Sequence, residues 1–228
     1  THVAGWAVRQ AAQAALSIMK NTAATVLDCP KDELVVREGS FRRSSHPEHC
    51  QSFQEVAAGA CKKGPVIGAG SYEGRSKDTM AFGAHLAEVK VDRETGAVEV
   101  TRLTAVHDIG CVINPPAAEG QAEGCAAQGI GFTLWEDLAK QEGRLSSESL
   151  ADYRQPTALD IPDVDVTFLE GALGPGPFGA KAIGEAPVVP VAAAIANALE
   201  DAVGLRMKDL PLTPEKVWQA MQNKEGKQ

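Results

Sequence analysis

The sequence predicts an α+β fold, and three observations carry the prediction. Two alternating stretches, His85-Leu-Ala-Glu-Val-Lys-Val91 and Val98-Glu-Val-Thr-Arg-Leu103, flank the turn Asp92-Arg-Glu-Thr-Gly96, the pattern of an antiparallel β-hairpin. Helical patterns occur at both ends and in the middle of the chain. The mixed strands and helices do not alternate as regular βαβ units.

The elements follow in order. Residues 3–27 read as a helix: Ala is abundant and no Pro intervenes before Pro30. Glu33-Leu-Val-Val-Arg-Glu38 reads as a strand, with a turn at Gly39 and a return through Phe41. Ser52-Phe-Gln-Glu55 is a capping box before Val56-Ala-Ala58 and predicts a short helix ending near Gly64. Pro65-Val-Ile-Gly68 reads as the next strand. After the hairpin, residues 117–138 look helical despite Gly120, Gly124, Gly129 and Gly131. Each glycine costs about 1 kcal/mol relative to Ala in a helix interior, so four of them predict close approach by another backbone or by a ligand. Val164-Asp-Val-Thr-Phe-Leu169 is a strand, followed by a Gly/Pro-rich stretch from Gly171 to Gly179. Residues 190–203 form a helix, with Pro190 in its first turn and Gly204 past its end. Thr213-Pro214 starts the last helix, which is expected to run to about Met221 with Leu212 and Val217 as a hydrophobic staple. The tail 223–228 is expected to fray. On this reading residues 1–222 form one region that could divide into two subdomains.

The chain has 228 residues, a 44% hydrophobic fraction and a net charge of −8, enough to bury a sizeable core. No Lys/Arg stripe is present, so neither nucleic acid nor an anionic membrane surface is the expected partner. No apolar run approaches the ~20 residues that span a bilayer, and no signal peptide is visible ahead of the first helix. Five cysteines at irregular spacing, without C-x-x-C, favour reduced thiols in a cytoplasmic protein. They give no zinc or iron–sulfur ligand set.

Four segments could carry chemistry. Gly174-Pro-Gly-Pro-Phe-Gly179 matches G-x-G-x-x-G, but Pro175 and Pro177 offer no N–H to a pyrophosphate and the next helix starts too late. A rigid loop is the better reading. His46-Pro-Glu-His49-Cys50 lacks a complementary ligand pair and reads as a solvated loop. His107 stands four residues before Cys111, but the intervening Asp-Ile-Gly reads as the end of a strand, so Cys111 and Cys125 lack an evident base and orienting group and read as buried, inert thiols. Glu185 lies in Lys181-Ala-Ile-Gly-Glu-Ala-Pro187, between the Gly/Pro-rich loop and a helix whose N-terminal end favours a carboxylate. Such a group suits general-base work, although a Glu before a helix is more often only a first-turn charge.

Several segments taken together resemble one family, the molybdenum hydroxylases, which include xanthine dehydrogenase, aldehyde oxidase and nicotinate dehydrogenase. They are Glu88-Val-Lys-Val-Asp-Arg-Glu-Thr-Gly96, Asp108-Ile-Gly-Cys-Val-Ile-Asn-Pro115, Glu119-Gly-Gln-Ala-Glu-Gly124, Ala127-Gln-Gly-Ile-Gly131, Gly179-Ala-Lys-Ala-Ile-Gly-Glu185 and Leu210-Pro-Leu-Thr-Pro214. Their order and spacing are similar to the C-terminal half of that family's large, molybdopterin-binding subunit, over about residues 1–222.

The resemblance implies a fold and a chemistry. A molybdenum ion held by a pterin dithiolene presents a water-derived hydroxyl. A glutamate removes its proton, the oxygen attacks an electron-poor carbon of an N-heterocycle or aldehyde, and two electrons leave through iron–sulfur clusters. By resemblance Glu185 is that base, not a metal ligand, and Gln121 bonds the pterin. Lys181, Ala182, Ile183 and Gly184 approach the cofactor through backbone groups, and Thr1 falls in a cofactor loop. The cofactor would be shared with another chain or segment, an N-terminal molybdopterin subunit. The 2Fe-2S clusters and FAD would sit on iron–sulfur and flavin partner subunits. The sequence departs from the common Gly-Glu-Pro-Pro at Gly184-Glu-Ala-Pro187. The alternative is a non-catalytic scaffold or cofactor-insertion module of the same family.

Overall fold

The computed structural model describes residues 2–74, 81–147, 149–171 and 173–225. Thr1 and residues 226–228 of the tail lie outside the described residues. The chain divides into two compact units, Thr1–Lys77 and Asp78–Gln228.

The first unit contains α1 (His2–Val26), β1 (Leu34–Arg37), β2 (Ser40–Arg43), β3 (His46–Ser52) and α2 (Phe53–Cys61). The strands form an antiparallel sheet in the order β1-β2-β3. Met19 and Ala23 of α1, Leu34, Phe41 and Val56 make its core. The capping box is present: the Ser52 hydroxyl accepts from the Glu55 N–H, and the Glu55 carboxylate accepts from the Ser52 N–H.

Two readings are corrected here. The segment from His46 is β3, not a loop; its side chains are nearly all exposed, so a backbone ladder to β2 holds it without a buried face. Pro65-Val-Ile-Gly68 is not a strand. It lies against α1 so closely that a Cβ on Gly68 would meet the Ala11 carbonyl oxygen at 1.9 Å, which places it on a helix, not in a ladder.

The second unit contains β4 (Phe82–Val91), β5 (Val98–Asp108), α3 (Pro115–Leu134), β6 (Lys140–Gln141), β7 (Arg144–Leu145), β8 (Val164–Leu169), α4 (Val191–Val203) and α5 (Pro214–Glu225). β4 and β5 are the expected hairpin, antiparallel, with a bulge between Glu88 and Val89. Asp92 accepts from the N–H groups of Glu94 and Thr95 in its turn. β8 adds in parallel to β5, which requires the crossover that contains α3. β6 and β7 form a separate small hairpin.

One face of the sheet meets the helices. Leu103 of β5, Ile130 of α3, Val191, Ile195 and Leu199 of α4, and Leu212 beside α5 are almost wholly buried, each worth about 1.5–3 kcal/mol against exposure. Asn114 caps α3, its side-chain oxygen accepting from the Ala117 N–H. The helix stops at Leu134, earlier than the sequence suggests. α4 ends on Gly204 at φ +68. Leu212 and Val217 are both buried, as a staple requires, and the Thr213 hydroxyl accepts from Lys216 N–H. The last helix continues past Met221 to Glu225.

The 18-residue stretch Ala186–Val203 is long and apolar enough to cross a membrane by composition, contrary to the expectation that no such run exists. Its helical part, α4, spends that apolarity on the core through Val191, Ile195 and Leu199.

Candidate active site

The glycines of α3 separate into two kinds. A Cβ on Gly129 would stand 2.6 Å from Val191 Cβ, and one on Gly131 would stand 2.1 Å from Glu136 Oε1. These two let α4 and the loop after the helix come close. Gly120 and Gly124 have nothing within 4 Å of an added Cβ. They lie four residues apart, on one face of the helix, and that face is open.

Gln121 lies on the same stretch of α3 and is exposed. The nearest atom to a Cβ built on Gly184 is Gln121 Oε1, at 3.7 Å. Residues 63 apart in sequence thus meet at this surface. One turn further along, the Cys125 thiol donates to the Gly184 carbonyl at 3.4 Å. Cys125 is buried, and burial pushes its thiol above the usual range, with the charge of Glu185 acting in the same direction. A thiol so placed is a weak nucleophile, as the sequence suggests; Cys111 is only half-buried, a correction to its expected burial.

Glu185 follows at once. It takes the cap position of a 3-10 turn, Ala186–Val188, makes no capping bond with its side chain, and is exposed. α4 begins at Val191. That start is within one residue of the expected one, and the influence of a helix end falls off within a turn.

Upstream, the segment is fixed to the end of β5. Gly110 and Ala180 form an antiparallel bridge, the Cys111 N–H donates to the Gly179 carbonyl at 3.1 Å, and the Lys181 N–H donates to the Ile109 carbonyl at 2.7 Å. Gly110, at φ +65, admits this pairing, since a Cβ there would stand 2.1 Å from the Gly179 oxygen. The Lys181 ammonium donates to Asp108 Oδ2 at 2.7 Å, and both side chains are largely buried. That ammonium and the Gly110 N–H hold the Asp108 carboxyl below the usual range, the ammonium contributing more.

Of the residues singled out from sequence, Gln121, Gly184 and Glu185 come together, with Ala182 and Ile183 in the connecting stretch. Ala182 is exposed and Ile183 half-buried. For Lys181 the reading needs correcting in part: its N–H and its ammonium are both committed within the chain. Thr1 lies outside the described residues. Sequence reasoning overlooked Asp108; the signal was a carboxylate at the last position of an alternating strand, directly before Ile-Gly.

Next to this region, His85 and His107 share an Nε2–Nε2 hydrogen bond of 2.8 Å across β4 and β5, so His107 does not serve Cys111. Their Nδ1 atoms are buried without partners. Burial, assisted by His107, pushes His85 down to about 4. Among the described residues no group of three or more His, Cys, Asp or Glu is placed to hold a metal ion.

The open face offers a side-chain amide, glycines without side chains and a nearby carboxylate. That donor set suits a flat, polar organic group with hydrogen-bonding edges, not a bare cation.

The molybdopterin cofactor-binding domain family matches residues 1–162. The chain is 32% identical over 232 residues to the 6-hydroxypseudooxynicotine dehydrogenase complex subunit gamma of Paenarthrobacter nicotinovorans, covering 97% of this chain and 29% of that protein. It is 32% identical over 225 residues to the xanthine dehydrogenase molybdenum-binding subunit of Escherichia coli O157:H7, covering 96% and 30%. Among solved structures, quinoline 2-oxidoreductase from Pseudomonas putida 86 superposes with a TM-score of 0.82 at 32% identity, over 92% of this chain and 28% of the other. Reconstituted CO dehydrogenase from Oligotropha carboxidovorans shares the fold, with a TM-score of 0.84 at 24% identity, over 96% of this chain and 28% of the other. The chain thus spans under a third of the length of these relatives.

Proposed function

Because the chain belongs to the molybdopterin cofactor-binding domain family, we propose that its open α3 face forms part of the cofactor site of a molybdenum hydroxylase, with Glu185 as the catalytic base. The observation that carries this reading is the meeting of Gln121 with Gly184, beside Glu185, next to the open space over Gly120 and Gly124.

When bound, the molybdenum cofactor would supply the two-electron redox chemistry and an acidified, water-derived nucleophile. The residues of this chain would bind, orient and move a proton. The Gln121 amide both donates and accepts, and so orients a pterin edge. Gly120 and Gly124 leave room for the group to lie against the helix. Glu185, whose side chain makes no capping bond, would accept and hold a proton at this edge. The substrate we propose is an electron-poor carbon in an N-heterocycle or aldehyde; the quinoline and xanthine relatives support the former. On this proposal 2Fe-2S clusters and FAD on partner subunits would take up the electrons, and an N-terminal molybdopterin segment would complete the pocket. The odd, irregular cysteine set supports a cytoplasmic setting.

The test is Glu185→Gln in the complete enzyme. The amide cannot take the proton, so kcat is expected to fall by about 10²–10⁴-fold with molybdenum content unchanged. A near wild-type rate would remove Glu185 from the mechanism. Molybdenum absent from the wild-type complex under all expression conditions would favour a scaffold.

A further inference from the structure

We propose that the Asp108–Lys181 ion pair is a positioning element for Glu185, an inference that rests on reading Glu185 as the base. Asp108 ends the central strand of the sheet, and Lys181 lies 73 residues later and four before Glu185. The pair closes at 2.7 Å with the lysine side chain 8% and the aspartate side chain 18% exposed. The Lys181 ammonium also lies 5.8 Å from the Phe82 ring centre on β4. A buried pair of this kind is a poor source of net stability, because desolvation offsets its attraction. Its value lies in geometry: each partner fixes the other.

What it fixes is the stretch leading to the carboxylate. Asp108 is itself held, its other oxygen accepting from the Gly110 N–H at 3.0 Å. Lys181 is held twice, by its ammonium on Asp108 and its N–H on Ile109. Gly174 packs beside it, where a Cβ would stand 2.5 Å from Lys181 Cγ. Three residues on, the Gly184 carbonyl is held by the Cys125 thiol. The segment 181–184 is thus tied at its front to β5 and at its rear to α3, and Glu185 projects from the second tie. A base displaced by about 1 Å from a productive geometry loses up to 10²-fold in rate. The ion pair is the side-chain restraint at the front of that stretch, added to the backbone tie of Lys181 to Ile109.

The complete enzyme is to be compared as wild type, Lys181→Met, Lys181→Arg, Asp108→Glu and Glu185→Gln, each measured for kcat, KM and molybdenum and pterin per subunit. Lys181→Met is expected to lower kcat by about 10–100-fold, with KM within threefold and cofactor content unchanged. Lys181→Arg, which keeps the charge, is expected to recover most of that loss. Asp108→Glu, which keeps both charges but lengthens the strut, is expected to fall between; it carries the test if Lys181→Met does not accumulate. Wild-type kcat in Lys181→Met or in Asp108→Glu would overturn the proposal. So would a kcat loss that only follows lost molybdenum, or Lys181→Arg as impaired as Lys181→Met. Activity surviving in Glu185→Gln would overturn the underlying reading instead. An inactive Glu185→Gln beside a fully active Lys181→Met would remove the positioning role alone.

Discussion

His85 and His107 occupy the buried end of the hairpin as a neutral pair, and Asp108 follows as a charged residue whose partner is Lys181. His85 and Asp108 both contribute to the acid response. His85 is depressed to about 4 by burial and by His107, whereas an unfolded His titrates near 6.5. Between these values the unfolded chain binds more protons, so stability is full above about 6.5 and declines as pH falls toward 4. Asp108 is also depressed, by the Lys181 ammonium and the Gly110 N–H; its contribution is present above the ordinary carboxylate range and is lost as pH falls through its lower folded value. Urea melts from pH 7.5 to 4.5 are therefore expected to show a falling midpoint, with a shallower fall in His85→Gln. An equal slope in that variant would remove the histidine from the effect. The sequence marked His107 only as a possible base for Cys111 and did not pair it with His85, because the alternation shows which face a strand residue takes but not which residue lies opposite; the register His85↔Ala105 and Gly83↔His107 is a tertiary fact.

At the scale of elements, α3 holds both a packing surface and an open one, and its glycines report which is which. Gly129→Ala drives a Cβ into Val191 and is expected to destabilise the protein by about 1–3 kcal/mol, the usual range for overpacking. Gly124→Ala meets open space and is expected to stabilise the helix by about 1 kcal/mol. In the complete enzyme, however, its Cβ intrudes on the proposed cofactor face, and molybdenum occupancy is expected to fall. Thermal melts and metal analysis of the two variants check both signs; unchanged occupancy in Gly124→Ala would place the cofactor elsewhere. The sequence foretold that these glycines mark close approach, but not that two serve α4 and the following loop while two remain open. Elements with a local signature were legible: the Ser52–Glu55 box, the Asp92–Gly96 turn, Gly204 after α4. β3 was not, because a strand with no buried face has no alternating pattern to read. Pro65–Gly68 misled for the opposite reason: an apolar run found a helix and no strand partner.

The chain as a whole is under a third of the length of its relatives, and this shapes what it shows. Gln121, Gly184 and Glu185 were singled out through resemblance, and the fold brings them together; the substrate and the electron path were not legible, because none of these motifs specifies the one and the irregular cysteines give no cluster ligand set for the other. Phe82, Leu86 and Leu169, on the sheet of the second unit, are more than half exposed. The account therefore stands or falls on where molybdenum sits in the complete enzyme, a position that anomalous diffraction from cofactor-loaded crystals locates. It expects the metal beside the open end of α3, with the Glu185 carboxylate about 3 Å, or one water, from the metal-borne hydroxyl. Molybdenum found beyond that reach, or at the Leu134 end of α3, would refute it.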